Sequence, residues 1–336
     1  MAGRVNWQTV AAQLATALPI ERLHPAARTA LEVARGRWVI ALSGGSDSVA
    51  LALLVWAHWP QRRGKLVLAH FNHRLRGRDS AHDARFCAAL AKGLGVEFVT
   101  EAWADAPTQP SEATARAVRQ QFLARLARQR RARWVLTGHQ RDDIAESMLM
   151  RLARGSGSAG LAAPRPVQTG TKERPGRIRP LLDLTRSELN AALKAAGGRW
   201  REDESNASDR YFRNRVRAVV IPAWQTAAGR DAVAGAALSR ARLEEDDRAL
   251  EAWVDEIAPL AERGRLDLRK LAGKPDAVWR RALQRWLTAH AERGDLSRQG
   301  FADLLRVAQA GRTTRFSLGQ QGFVRVRRGW LWFESS

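Results

Sequence analysis

Trp38-Val39-Ile40-Ala41-Leu42, followed by Ser43-Gly44-Gly45-Ser46-Asp47-Ser48 and then by the apolar stretch Val49 to Ala57, decides the fold. The first run has the length of a buried strand and the last that of a buried helix, so the six small polar residues form a strand-to-helix turn. Such a turn binds anions. Its glycines let backbone amides approach an oxygen-rich ligand, its serines add hydroxyls, and the first helical turn contributes free N–H groups and the positive dipole end. Phosphate is the natural guest.

Outward from this turn the same alternation continues. Residues 6 to 35 read as one or two amphipathic helices; Lys65 to Phe71, Val96 to Trp103 and Trp134 to Gly138 read as strands, and Ala81 to Leu94 and Ser111 to Arg130 as helices. Asp142 to Ala153 reads as a helix with Ile144, Met148 and Leu152 on one side and Glu146 on the other. Alternating strands and helices predict a Rossmann-like parallel α/β sheet with ligands at the carboxyl ends of its strands. Gly155 to Gly176, including Lys172 and Glu173, reads as a loop, Arg177 to Leu182 as a last strand, and Thr185 to Ala196 as a helix. A boundary is expected at Gln225 to Gly229, giving domains 1–225 and 226–336. The second is expected to be smaller and helical, over Asp231 to Ile257, Pro275 to His290 and Ser297 to Ala310. Short strands follow at Thr313 to Leu318, Phe323 to Val326 and Trp330 to Phe333.

The 336 residues, 45% hydrophobic and 27% charged, suit a globular chain of two domains. No apolar run approaches a bilayer span and Trp7, Val10, Leu14 and Leu18 follow a helical stripe, so a cytoplasmic protein is expected. Cys87 is the one cysteine, which excludes intrachain disulfides and cysteine-built metal sites; its neighbours Phe86, Leu90 and Leu94 make it core filler. Of the net charge of +22, +17 belongs to residues 1–225 and +5 to residues 226–336. Basic groups are six Lys against fifty Arg, so the total also reflects an Arg-rich composition. The excess accompanies the phosphate-binding half, where it favours a polyanionic partner.

Two further clusters lie at strand ends. In Thr137-Gly138-His139-Gln140-Arg141-Asp142-Asp143-Ile144-Ala145-Glu146, Asp143 and Glu146 are three apart on a helix. They either bind Mg²⁺ or an ammonium group together, or serve, with Asp142, as helix-capping charges. His139 is placed to donate to a phosphate. His70-Phe71-Asn72-His73-Arg74-Leu75-Arg76-Gly77 offers groups to adenine, ribose or RNA without assigning them, and Arg119 gains no standing from periodicity.

The loop 43–48 lacks the Gly-Lys-Ser/Thr ending of common NTPases. It resembles instead the PP-loop of the ATP pyrophosphatases. With His70 to Gly77, Arg119, Thr137 to Gly157, Arg179-Pro180-Leu181-Leu182, Asp203-Glu204-Ser205-Asn206 and Arg213-Asn214-Arg215, most of residues 37–217 resembles the bacterial tRNA(Ile)-lysidine synthetases. Gln120 and Ser147 depart from that pattern, where an aromatic and Thr are usual. The resemblance implies that ATP and Mg²⁺ activate C2 of the wobble cytidine of tRNA(Ile) with a CAU anticodon. L-lysine then displaces AMP to give lysidine. It makes Ser43, Gly44, Gly45, Ser46, Asp47 and Ser48 the nucleotide site, Asp47, Arg119, His139 and Asp143 catalytic, and Asp47 and Asp143 metal ligands. Asp143, Glu146, Arg213 and Arg215 become substrate contacts and residues 226–336 an accessory tRNA-binding domain, while the run Arg210, Arg213, Arg215 and Arg217 either meets the tRNA backbone or forms a solvated helix face. No membrane is implied; self-association, where present, is expected as a homodimer. The alternatives are another PP-loop tRNA-modifying enzyme, though not a cysteine-dependent thiolase, and a non-catalytic, ATP-dependent RNA-binding protein.

Overall fold

The computed structural model describes residues 5–75, 78–107, 110–171, 174–202, 211–261, 264–290, 296–319 and 322–334. Arg76, Gly77, Lys172, Glu173, the Asp203 to Asn206 motif and Arg210 lie outside them. The chain divides into two compact units, Met1–Ala241 and Arg242–Ser336.

Unit 1 is built on six strands: β1 (Trp38–Ala41), β2 (Leu66–Asn72), β3 (Glu97–Ala102), β4 (Trp134–Leu136), β5 (Val167–Gln168) and β6 (Gly176–Ile178). Their order is β3-β2-β1-β4-β6-β5, parallel throughout except for β5, which runs antiparallel to β6. The order reverses between β1 and β4, and a crevice opens at the carboxyl ends of such a pair. Helices cover both faces. Trp38 and Ile40 join Leu68, Leu136 and Ile178 in a core with α1 (Trp7–Ala17), α2 (Pro25–Val33), α3 (Ser46–His58), α4 (Arg78–Leu94) and α8 (Arg186–Ala195). Val39, Val67 and Val135 point the other way, onto Phe122, Leu123 and Leu126 of α5 (Glu112–Gln129). Successive residues of one strand thus serve opposite layers, as a pleated backbone demands. Both layers being apolar explains why β1 reads as an unbroken hydrophobic run.

Several details depart from the pattern of the sequence. The stretch 155–176 holds a short helix, α7 (Ser158–Leu161), and the edge strand β5, both too short to show a period. β6 stops at Ile178 instead of reaching Leu182, since Pro180 has no N–H for a ladder. On α6 (Arg141–Leu152), Ile144 and Met148 are buried but Leu152 is 54% exposed, whereas Glu146 is 1% exposed. The expected apolar stripe thus fails at Leu152, while Glu146, on the other side, is buried by the arginine cluster described below.

α9 (Phe212–Arg215) passes through a π-helical turn at Val216–Val220 into α10 (Ile221–Ala228), which Gly229 closes in the left-handed conformation. A helix ends at the segment Gln225 to Gly229 where a domain boundary is expected, while the two compact units divide further on, inside α11 (Ala232–Ile257). In unit 2, Asp247, Glu251 and Asp255 recur every fourth residue on α11 and meet Arg281 and Arg285 of α12 (Asp276–Ala289). α12, α13 (Arg298–Ala310) and the last turns of α11 cover one side of an antiparallel sheet. Its strands are β7 (Leu260–Ala261), β8 (Arg265–Asp267), β9 (Thr314–Ser317), β10 (Phe323–Arg327) and β11 (Trp330–Glu334), in the order β7-β8-β11-β10-β9. β7 and β8 were not expected from sequence. Among the described residues no helix is long and apolar enough to cross a membrane.

α8 is fixed at its start by a reciprocal cap. Thr185 Oγ1 accepts from Glu188 N (3.1 Å), and Glu188 Oε2 accepts from Thr185 N (2.8 Å). Against some desolvation, these donors and Arg22 pull the Glu188 carboxyl down to about 2. A carboxyl depressed on folding stabilises the native state above its unfolded pKa, and that contribution is lost as pH falls through the folded value. Replacing Thr185 by Ala is expected to cost about 1 kcal/mol in urea unfolding at pH 7. The deficit should shrink as pH falls from about 4 toward 2, where the Glu188 half of the cap is lost from the parent chain as well.

Candidate active site

The turn after β1 is ordered from within. Ser48 Oγ accepts from the amides of Ser43 (3.1 Å) and Gly44 (3.2 Å) and donates to Gly45 O (2.9 Å). Ser48 therefore staples the loop and turns its hydroxyl inward. Gly44 has φ +96°, open to glycine alone at little cost, and its Cα faces buried Cys87. That thiol is pushed up to about 12 by burial, as befits core filler. Gly45 is the N-cap of α3 and gives no side-chain acceptor to the first-turn amides. The helix end is thus left open to an external anion. His70, at the end of β2, is buried with Nδ1 3.0 Å from Leu42 O, so it supports the strand end.

The turn after β4 abuts that loop. A Cβ placed on Gly138 would lie 2.7 Å from the carbonyl oxygen of Asp47, which is why the two turns meet at all. Gln140 caps α6, accepting from Asp142 N (2.6 Å), and its own N–H donates to Asp143 Oδ2 (2.9 Å). Asp143 thus caps the helix and contributes to the site at once. Its other oxygen accepts from Arg213 (2.5 Å).

Arg213 also donates to Glu146 Oε2 (2.6 Å), and Arg217 to Glu146 Oε1 (2.6 Å) and Oε2 (3.1 Å). Four residues separate Arg213 from Arg217, which places both on one face across α9 and the π-helical turn. Arg186, at the start of α8, sits 3.9 Å from both Asp47 Oδ2 and Glu146 Oε1. A buried carboxylate needs such company. Asp47 has less of it: Oδ1 is buried without a partner among the described residues, and burial pushes its carboxyl up to about 6 despite Arg186, with Asp143 adding to the rise.

On the other side of Asp143 cations gather. Arg119, although exposed as a residue, has a desolvated guanidinium; that and repulsion from Arg116, Arg213 and Arg177 push it down to about 10. Arg179 is buried, donates to Arg165 O (2.6 Å), and is likewise pushed to about 10 by burial and by Arg177 and Arg116. His139, with Nδ1 2.9 Å from Thr137 Oγ1, is held well below the usual imidazole range by burial and then by Arg179, Arg213, Arg116 and Arg119. It is a neutral imidazole at pH 7. Such mutual repulsion is relieved by an anion.

Of the residues singled out from sequence, Asp47, Asp143, Glu146, Arg213, Arg119 and His139 thus belong to one constellation. Ser48 points inward. Arg215 is exposed, 5.9 Å from the ring of Phe212, on the face away from the acid pair. Arg116, Arg177 and Arg186 were missed, and Arg179 entered only as part of a motif without a role. Arg116 was legible as the residue one turn before Arg119, while the other three are brought in by β6 and α8, far away in sequence. Gly138→Ala is expected to cost about 1–3 kcal/mol by overpacking against the Asp47 backbone, measured by chemical denaturation; a neutral result would show that the turns have room between them.

Residues 20–224 match the PP-loop domain family. A tRNA(Ile)-lysidine synthase of Gloeobacter violaceus is 35% identical over 297 residues, 87% of this chain and 89% of that protein. Those of Geobacter sulfurreducens and Thermus thermophilus are 41% and 42% identical over 55% and 62% of this chain, and the chain spans only 40% and 39% of their lengths. Among solved structures, the U34-tRNA thiolase NcsA of Methanococcus maripaludis superposes with a TM-score of 0.53 at 18% identity, covering 70% of this chain and 78% of that one. That likeness concerns the fold.

Proposed function

The chain belongs to the PP-loop domain family and, within it, to the tRNA(Ile)-lysidine synthases, and on that premise we propose that it joins L-lysine to C2 of the wobble cytidine of tRNA(Ile) with a CAU anticodon. The observation that carries this reading is the pairing of an open, anion-seeking helix end at 43–48 with an acid pair, Asp143 and Glu146, held by guanidinium groups. One half suits the phosphates of ATP. The other suits the ammonium of lysine.

In the first step the C2 carbonyl oxygen of the cytidine attacks the α-phosphorus of ATP. The bond to the β-phosphate breaks and diphosphate leaves, which makes oxygen, now bound to AMP, a good leaving group. The amides at the start of α3 hold the departing diphosphate. Arg119 and the cations beside it oppose the negative charge that grows on the phosphates. Neutral His139, its Nδ1 accepting from Thr137, donates its Nε2–H to a phosphate oxygen. In the second step the lysine ε-ammonium gives a proton to a carboxylate of the site, the free amine attacks C2, the C2–O bond breaks and AMP departs.

Among the described residues no cluster of three or more His, Cys, Asp or Glu is arranged to hold a metal unaided. Mg²⁺ asks for less, since one or two carboxylates suffice when phosphates and water complete the shell. The unpartnered oxygen of Asp47, with Asp143 as its neighbour, fits that need. When bound there, the ion neutralises phosphate charge.

Lysine must replace an internal cation. Arg213 bridges Asp143 and Glu146, so on this reading lysine binding exchanges one cation for another at a site whose charge is always compensated. Arg215, exposed beside the ring of Phe212, is the arginine of this helix assigned to tRNA. Unit 2 serves as the accessory RNA-binding part, and the enzyme works in the cytoplasm.

Incubation of the chain with ATP, Mg²⁺, radiolabelled L-lysine and tRNA from cells lacking the modification is expected to give acid-precipitable label. RNA binding without diphosphate release would overturn the enzymatic reading. Asp47→Ala is expected to abolish diphosphate release while tRNA affinity stays within a few-fold; a large loss of tRNA binding would show that Asp47 is misassigned. Glu146→Gln is expected to raise KM for lysine about tenfold or more while diphosphate release, which precedes lysine attack, is kept. Equal loss of both steps would contradict the assignment of Glu146 to lysine.

A further inference from the structure

The helices of unit 2 cover one face of its antiparallel sheet, and on the other Trp330 and Trp332 are half-buried while Arg265 and Arg327 are exposed. Leu331, Phe333, Val324, Val326 and Leu266 point inward to the helices. Their neighbours in sequence must point outward. On β11 these are Trp330 and Trp332, paired in register with Arg327 and Arg325 of β10. Solvent-facing positions of a sheet ordinarily carry small polar or β-branched residues, and here they carry aromatics and arginines.

The aromatic rings are each met by a cation. Arg265 lies 5.3 Å from the ring of Trp332, Arg269 4.6 Å from that of Trp330, and Arg315 3.6 Å from that of Phe323. Two acids temper the charge: Glu334 pairs with Arg315 (2.6 Å) and Arg325 (2.7 Å), and Asp267 with Arg269 (2.8 Å). Arg265 and Arg327 remain exposed, and the face stays positive. A flat guanidinium over an indole is the arrangement a nucleobase enters, because the base stacks on either plane while its phosphates meet the surplus charge. Only unpaired bases offer that π-face; a duplex offers phosphates alone.

We propose that this outer face binds RNA through unpaired bases that stack on Trp330 and Trp332, with Arg265 and Arg327 holding the flanking phosphates. The inference rests on the reading of the chain as an RNA-modifying enzyme and says how its second unit contributes. The modest charge of residues 226–336, +5, accords with contact by stacking more than by bulk attraction.

The test uses the full chain, an unstructured 12-nucleotide RNA and a blunt 12-base-pair duplex, with binding read by fluorescence anisotropy at several salt concentrations. Trp332→Leu is expected to weaken binding of the single strand about tenfold and to leave the duplex within twofold. Arg327→Gln is expected to weaken single-strand binding and lower its salt slope by about one. Unchanged single-strand binding in both variants overturns the proposal, as does an equal loss for the duplex with Trp332→Leu. Should that variant unfold at a lower temperature, exposed Arg327 decides alone. Diphosphate release at saturating tRNA is expected to match the parent in both. Its absence from the parent chain would sink the enzymatic reading and leave the RNA result standing.

Discussion

Glu146 is 1% exposed and has three arginines around it, and the layout of the site follows from that one demand. An ionised carboxylate in such a place survives only if cations and hydrogen bonds replace its water. Arg213 and Arg217 come from the helix at 212–220, and Arg186 from the start of α8. Meeting the demand therefore gathers three distant segments over the end of β4. A group that must always be paired is also well suited to exchange its partner, which is what binding an amine there requires.

The second constraint is steric. Gly138 lets the turn after β4 press against the Asp47 carbonyl, so the phosphate-binding loop and the acid pair share one crevice at the point where the strand order reverses. Asp47 is the hinge between the two halves: its backbone touches the β4 turn, while its carboxylate faces Arg186 and lacks a partner for one oxygen. Positive charge is then distributed by function. Arg213, Arg217 and Arg186 compensate carboxylates, whereas Arg116, Arg119, Arg177 and Arg179 repel one another and await an anion.

Local physics wrote much of this into the sequence. β1 and α3 were legible from the lengths of their apolar runs, and α5, α8 and α13 begin at the Ser111, Thr185 and Ser297 caps that mark them. Other features depend on residues far apart. Glu146 reads as a partner of Asp143 on its own helix, but its burial does not, because the guanidinium groups that bury it lie 67 and 71 positions later. Leu152 reads as core because its spacing is right, although nothing covers it. β5, β7 and β8 have two or three residues, too few for any alternation to show. The turns of the chain near 229 and the division of its compact units at 241 differ because a helix can end without a domain ending.

Taken together, unit 1 offers an open helix end and a guanidinium-held acid pair in one crevice, and unit 2 a sheet face of aromatics and arginines. The central claim concerns the crevice, where we propose that the amine substrate displaces the internal Arg213. The most direct measurement is a crystal structure of the chain soaked with L-lysine and a non-hydrolysable ATP analogue. The expected result places the lysine ε-nitrogen within hydrogen-bonding distance of Asp143 and Glu146, with Arg213 withdrawn from both and the triphosphate at the start of α3. Lysine bound elsewhere while Arg213 still bridges the two carboxylates would contradict it.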